Sequence, residues 1–101
     1  MIVIIPAYEP DYRLENLVKS LKKEKNLKLI VVNDGSSSDE VFNKIKNDVI
    51  ILKHDINLGK GIAMKTGLNY VLNNFKDESV IFADADGQHS SDDIIKLSLL
   101  D

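Results

Sequence analysis

Cysteine and tryptophan are absent from this chain, and proline occurs only twice in 101 residues. Without a thiol there is no disulfide, no cysteine-ligated metal and no thiol nucleophile, and a reducing compartment is permitted. Positive charge is scattered. Thirteen Lys and Arg face sixteen Asp and Glu, a net charge of -3, and no block of basic residues forms a stripe. A nucleic acid held through its phosphates is therefore disfavoured as a partner. No stretch approaches the roughly 18 apolar residues of a spanning helix. The apolar start, Met1 to Ile5, lacks the basic flank of a signal peptide. Internal repeats, low-complexity segments and linkers are missing too, so no domain boundary is expected inside residues 1–101.

What is present supports a folded core. The apolar share is 44%, and the length is near that of a common single domain. Ile2 to Ile5 is a continuous β-branched run stopped by Pro6, the pattern of a parallel strand covered on both faces. Leu14, Leu17, Val18 and Leu21 then recur with helical spacing. Lys28 to Val32 reads as a second strand, followed by a short helix through Val41, Phe42 and Ile45 that Ser38 or Asp39 can cap. Val49 to Leu52 is a third strand. A longer helix follows with Met64, Leu68, Val71, Leu72 and Phe75 as its apolar stripe. Val80 to Ala83 is a fourth strand, and Ser90, Ser91 or Asp92 can open a last helix through Ile94, Ile95 and Leu97. The order βαβαβαβα predicts an α/β fold: a mostly parallel four-stranded sheet with helices on both faces.

Ligands of such sheets sit outside the carboxyl ends of the strands. The segments richest in glycine and polar residues all follow strands: Pro6 to Pro10, Asn33 to Asp39, His54 to Gly61, and Asp84 to His89. In the last, Asp84 and Asp86 point the same way if the extended backbone persists. Paired carboxylates on one face repel unless a proton or cation lies between them, and hard oxygen ligands suit Mg²⁺ or Mn²⁺. The alternative is an acidic turn with a helix cap.

The other loops can complete such a site. Tyr8 can stack on a base or sugar, or lie as a lid over the sheet end. Asp34 can accept from a base N–H or a ribose hydroxyl, or form an Asx turn. Gly59-Lys60-Gly61 opens a helix whose amides and ammonium can cradle a diphosphate, although it matches neither the Walker A loop nor the dinucleotide fingerprint. His54 is most simply a strand-end residue, with a substrate contact as the alternative.

Four motifs stand in order: Pro6-Ala7-Tyr8-Glu9, Val31-Val32-Asn33-Asp34-Gly35-Ser36, Asn57-Leu58-Gly59-Lys60-Gly61 and Asp84-Ala85-Asp86-Gly87-Gln88-His89. Together they resemble family 2 glycosyltransferases of the GT-A fold, in the branch of dolichyl- and polyprenyl-phosphate sugar transferases. The resemblance covers the whole chain and implies the Rossmann-like nucleotide-binding half of that fold. By it, Tyr8 and Asp34 bind the nucleobase, Pro6, Ala7 and Glu9 line the nucleotide pocket, Lys60 lies near the donor phosphates, and Asp84 and Ala85 also bind the nucleotide sugar. Asp84 and Asp86 form an Asp-x-Asp site for Mg²⁺ or Mn²⁺, with Gln88 as a further ligand.

The implied donor is a UDP- or GDP-linked sugar, transferred with inversion to a polyprenyl phosphate or glycan acceptor. Asn33 departs from the aspartate frequent at that position. The acceptor half and catalytic base are expected beyond Asp101, so 1–101 would be a donor-binding fragment, weak or inactive alone. Self-association through the uncovered face is expected, and a cytoplasmic location, at the membrane face in a longer parent. A non-catalytic nucleotide- or partner-binding module is the alternative. A phosphate-accepting receiver domain fits less well, because it needs an aspartate pair where Pro6-Ala7-Tyr8 stands.

Overall fold

The computed structural model describes residues 1–86 and 91–99, with side chains as far as Lys96. Eight elements alternate along the chain: β1 (Ile2–Ala7), α1 (Tyr12–Leu21), β2 (Lys28–Asp34), α2 (Glu40–Ile45), β3 (Ile50–His54), α3 (Lys60–Asn74), β4 (Val80–Phe82) and α4 (Ser91–Leu99). The four strands are all parallel, in the order β3-β2-β1-β4. The chain thus steps outward from β1 to β3, then crosses to the other side of β1. That reversal lies between β1 and β4.

Both faces of the sheet are covered, which is why its central strands are apolar at successive positions. Val3, Ile5, Leu29 and Val31 face α1, α2 and α4, packing with Leu14, Leu17, Val18, Leu21, Phe42, Ile45 and Ile94. Ile2, Ile4, Ile30 and Val32 face the opposite way, onto Ala63 and Val71 of α3. The period-two alternation of strand side chains sorts these residues into two cores.

The α3 stripe differs from the one its larger apolar residues suggest. Its buried residues are Ala63, Gly67 and Val71, while Leu68 and Leu72 are exposed, Leu72 at 71%. The reason is close approach. A Cβ on Gly67 would lie 2.5 Å from Ile4 Cγ2, inside a fully buried side chain. Small residues four apart let the helix lie low on β1 and β2, and the leucines are left on its outer flank. Gly67→Ala is accordingly expected to cost about 1–3 kcal/mol by overpacking, as read from chemical denaturation.

Three strands run further than the sequence pattern indicates. Pro6 does not stop β1, which continues through Ala7, paired with Val32 and Asn33 of β2. The even residues of β1 bond towards β4: Ile2 N–H donates to Ser79 O, and Ile4 O accepts from Ala83 N–H. The missing amide of Pro6 therefore faces the β4 side, where pairing has ended at Ile4 and Phe82. No β1–β2 bond is lost, and proline is tolerated where one side of a strand is unpaired. β2 and β3 likewise reach Asp34 and His54, which pair directly in register. β4 is shorter than expected, at three residues, and pairs only with β1 among the described residues.

Candidate functional site

Where β1 continues past the end of β4, the sheet splits and a cleft opens at its carboxyl edge. The cleft has a volume of about 420 Å³. β1 contributes Pro6, Ala7 and Tyr8, β2 contributes Asp34, the β3–α3 loop Asn57, Gly59 and Lys60, and the segment after β4 Asp84, Ala85 and Asp86. It lies at the reversal of strand order, where ligand crevices form in open α/β sheets. Eight of the residues expected in the site from the sequence meet here: Pro6, Ala7, Tyr8, Asp34, Lys60, Asp84, Ala85 and Asp86. Asn57 and Gly59 join them.

Asp34 is buried, and its carboxylate organises the β3–α3 loop. Oδ1 accepts from His54 Nδ1 at 2.8 Å and from the Leu58 amide at 2.9 Å. Oδ2 accepts from the Gly59 amide at 3.0 Å and from Asn57 Nδ2 at 3.1 Å. Burial alone would push the Asp34 carboxyl up. The His54 hydrogen bond and the Leu58 and Gly59 amides outweigh it and hold the group below the ordinary aspartate range. His54 Nε2 in turn lies 2.8 Å from Thr66 Oγ1 of α3.

The same loop passes very close to Gly35. With φ at +71°, Gly35 occupies the left-handed region, and an added Cβ would stand 2.2 Å from the backbone carbon of Ile56. Only glycine meets both conditions at this crossing.

Glu9 departs from its expected place. It is not among the cleft-lining residues but is turned towards the β2–α2 loop. Its amide donates to Ser36 Oγ at 2.9 Å, and its carboxylate accepts from the Ser37 amide and from Ser37 Oγ, the latter at 2.8 Å. Those bonds, the amide's first, hold the Glu9 carboxyl below its usual range. Glu9 has φ at +50°, uncommon outside glycine, and the latch to Ser36 and Ser37 ties down that turn. Asn33 is likewise structural: it is buried, and its Oδ1 accepts from the Ser36 amide at 3.0 Å. Tyr8, immediately before the turn, is left 57% exposed at the cleft.

On the β4 side, Lys60 Nζ meets Asp84 Oδ1 at 2.5 Å. The extended backbone does not persist through the two acids. β4 ends at Phe82, and Ala85 and Asp86 lie in a turn, so it is the turn that puts Asp84 and Asp86 in the same cleft. Gln88, expected as a further ligand, lies outside the described residues. A cation can be received here, as the ammonium on Asp84 shows. Among the described residues no group of three or more His, Asp or Glu could hold a metal ion by itself. Two carboxylates in a cleft wide enough for a ligand suit a hard ion that takes other oxygens from substrate phosphates.

Parallel α/β architecture with a polar cleft at the switch point defines a Rossmann-like α/β domain. The family model "Glycosyl transferase family 2" matches residues 2–98. The chain belongs to this family. It is 35% identical over 97 residues to an uncharacterized protein of Methanocaldococcus jannaschii, covering 96% of this chain and 40% of that one. It is also 35% identical over 113 residues to the UDP-N-acetylglucosamine–dolichyl-phosphate N-acetylglucosaminyltransferase of Methanococcus voltae, covering 94% and 44% respectively. With a dolichyl-phosphate beta-glucosyltransferase of Trichomonas vaginalis it shares 32% identity over 106 residues, 90% of this chain and 32% of the relative. The chain therefore spans less than half the length of these relatives.

Proposed function

We propose that this chain is the donor-binding part of a glycosyltransferase that takes a nucleoside-diphosphate sugar, UDP- or GDP-linked, and serves transfer to a polyprenyl phosphate or glycan acceptor. The observation that carries this reading is the meeting of four strand-end loops in one cleft with Tyr8, Lys60, Asp84 and Asp86 on its walls. Tyr8 offers an exposed aromatic face to a base or sugar. Lys60, at the start of the fifteen-residue α3, places an ammonium beside the amino end of a helix, a favourable setting for phosphate. Two of the relatives are named for transfer to dolichyl phosphate, which supports the polyprenyl class of acceptor.

In the reaction, an acceptor oxygen forms a bond to the anomeric carbon while the carbon–oxygen bond to the diphosphate breaks, with inversion. The nucleoside diphosphate leaves with the electron pair. A hydroxyl acceptor also gives its proton to a base, whereas a phosphate acceptor is already charged. Asp84 and Asp86 would hold Mg²⁺ or Mn²⁺, which when bound neutralises the leaving diphosphate. Lys60 binds the same group, exchanging its bond with Asp84 for one to a phosphate oxygen. Action at the cytoplasmic face of a membrane, and self-association, belong to the same proposal. Among the described residues no helix is long and apolar enough to cross a membrane.

Calorimetric titration with UDP and GDP, with and without Mn²⁺, tests the reading. Binding of at least one nucleotide is expected to strengthen tenfold or more with Mn²⁺, and Asp86→Ala is expected to remove that increment. Equal binding by the variant would overturn the assignment of Asp86.

A further inference from the structure

The exposed apolar side chains of this chain are not scattered. Of seven large hydrophobic residues exposed among the described residues, Ile56, Leu58, Ile62, Leu68 and Leu72 fall between the β3–α3 loop and the end of α3. The same stretch is free of acid. From Ile56 to Lys76 there are three lysines and no Asp or Glu, in a chain whose net charge is -3. One helix thus carries two apolar sides, with Ala63, Gly67 and Val71 inward and the larger residues outward.

Helical spacing joins the outward residues. Ile62, Lys65, Leu68 and Leu72 follow one another at three or four positions and so form one flank, with Lys65 exposed among them. Lys76, also exposed, stands just past the helix cap at Phe75. Neither lysine has an ion pair among the described residues, whereas Lys19, Lys22, Lys28, Lys44 and Lys53 each hold a carboxylate. Among the described residues α3 is also the only helix on its side of the sheet. The amino end of the flank reaches the cleft, where Asn57, Gly59 and Lys60 line the wall.

Exposed apolar side chains gathered on one surface mark a contact. Their charge setting says with what. Two copies meeting through this flank would bring lysines against lysines, with no acid in the stretch to pair them. A helix flank of leucine, isoleucine and lysine suits a flat anionic surface instead. There the apolar side chains enter the boundary of the acyl region and the ammonium groups meet lipid phosphates. We propose that the outer flank of α3, with Ile56 and Leu58 of the preceding loop, binds the surface of an anionic lipid bilayer and sets the cleft at the level of the head groups. The purpose of this contact rests on the reading of the cleft as serving a polyprenyl phosphate acceptor; the contact itself is separate from nucleotide binding.

Vesicle flotation tests this without a nucleotide. The native chain is expected to bind vesicles of phosphatidylcholine and phosphatidylglycerol in equal parts about tenfold or more tightly than phosphatidylcholine alone, and to release them as salt rises. Lys65→Gln with Lys76→Gln should weaken binding about tenfold to thirtyfold, since each lysine near such a surface contributes roughly fivefold. Leu68→Gln with Leu72→Gln should weaken it about tenfold or more. Lys23→Gln with Lys46→Gln removes the same charge at the carboxyl ends of α1 and α2 and should change binding by about twofold at most. All six side chains are exposed, so thermal unfolding should stay native in each pair. Equal losses in the two lysine pairs would mean attraction by net charge alone and overturn the flank, as would binding unaltered by the leucine pair. Self-association in sedimentation velocity that the leucine pair abolishes, without vesicle binding, would give the face to a second copy and overturn the proposal. Titration with UDP and GDP, each with Mg²⁺, separates the two readings. Nucleotide binding without vesicle binding overturns the membrane contact and leaves the cleft. Vesicle binding through the flank without nucleotide binding refutes the cleft reading and leaves a lipid-binding face.

Discussion

Asp34→Ala is expected to lower the stability of this domain by about 3–5 kcal/mol, because it leaves four donors without their acceptor at once. The His54 ring, the Asn57 amide and the backbone amides of Leu58 and Gly59 all converge on that carboxylate. Water will reach some of them, which keeps the cost below the sum of separate losses. Against a usual total of about 5–15 kcal/mol, this is a large fraction. Thermal unfolding should show Tm reduced by roughly 15–25 °C. A change of a few degrees would mean that the loop holds its shape without the carboxylate.

The same group makes a prediction for acid. Burial raises the Asp34 carboxyl, but His54 and the two amides lower it further, so its folded value lies below that of the unfolded chain. Its contribution is therefore fully present above the unfolded value, about 3.9. It is lost as pH falls through the folded value. Asp34→Asn removes this titration, so denaturation measured from pH 5 downward should show a shallower loss of stability than in the native chain. Parallel curves would contradict the linkage.

Gly35→Ala is expected to be the other severe change, costing roughly 2–4 kcal/mol through a left-handed backbone and overpacking together. The neighbour it would strike is backbone, Ile56 and Asn57, and not the tip of a movable side chain. Relief would require the β3–α3 loop to move away from β2. That motion pulls Leu58 and Gly59 from Asp34, so the loss of stability should be accompanied by faster amide exchange at those two residues. Chemical denaturation and exchange on the same variant check this. Native-like stability would mean that the two loops are not held as close as they stand here.

Much of the fold could be read from the residues because both faces of the sheet are covered. The runs Ile2 to Ile5 and Leu29 to Val32 are apolar at every position for that reason, and the βα alternation then requires parallel strands. The reading failed where size mattered more than polarity. Leu68 and Leu72 look like core, yet Gly67 against Ile4 decides which side of α3 is buried. Pro6 looks like a terminator, yet it is harmless on the side of β1 that β4 no longer reaches.

The site divides in the same way. Tyr8, Lys60, Asp84 and Asp86 were legible because each follows a strand, and topology brings the ends of parallel strands to one edge. The partners of Asp34 and Glu9 were not. Asp34 bonds to residues 20–25 positions away, and Glu9 to Ser37, 28 away. No local spacing reveals such pairs. The direct pairing of Asp34 with His54 depends on the register of β2 and β3, which extends past the last apolar residue of each strand. An aspartate and a histidine closing adjacent strands were the available signal.

The central claim is that the four loops at the carboxyl edge form one nucleoside-diphosphate site. Amide chemical shifts recorded while UDP or GDP is added with Mg²⁺ test it most directly. Perturbations are expected at Ala7 and Tyr8, Asp34, Asn57 to Lys60, and Asp84 to Asp86, saturating together with one affinity. Shifts gathered instead at the opposite edge, where Glu78 pairs with Lys28 and the amino terminus, or confined to only one of the four loops, would contradict it.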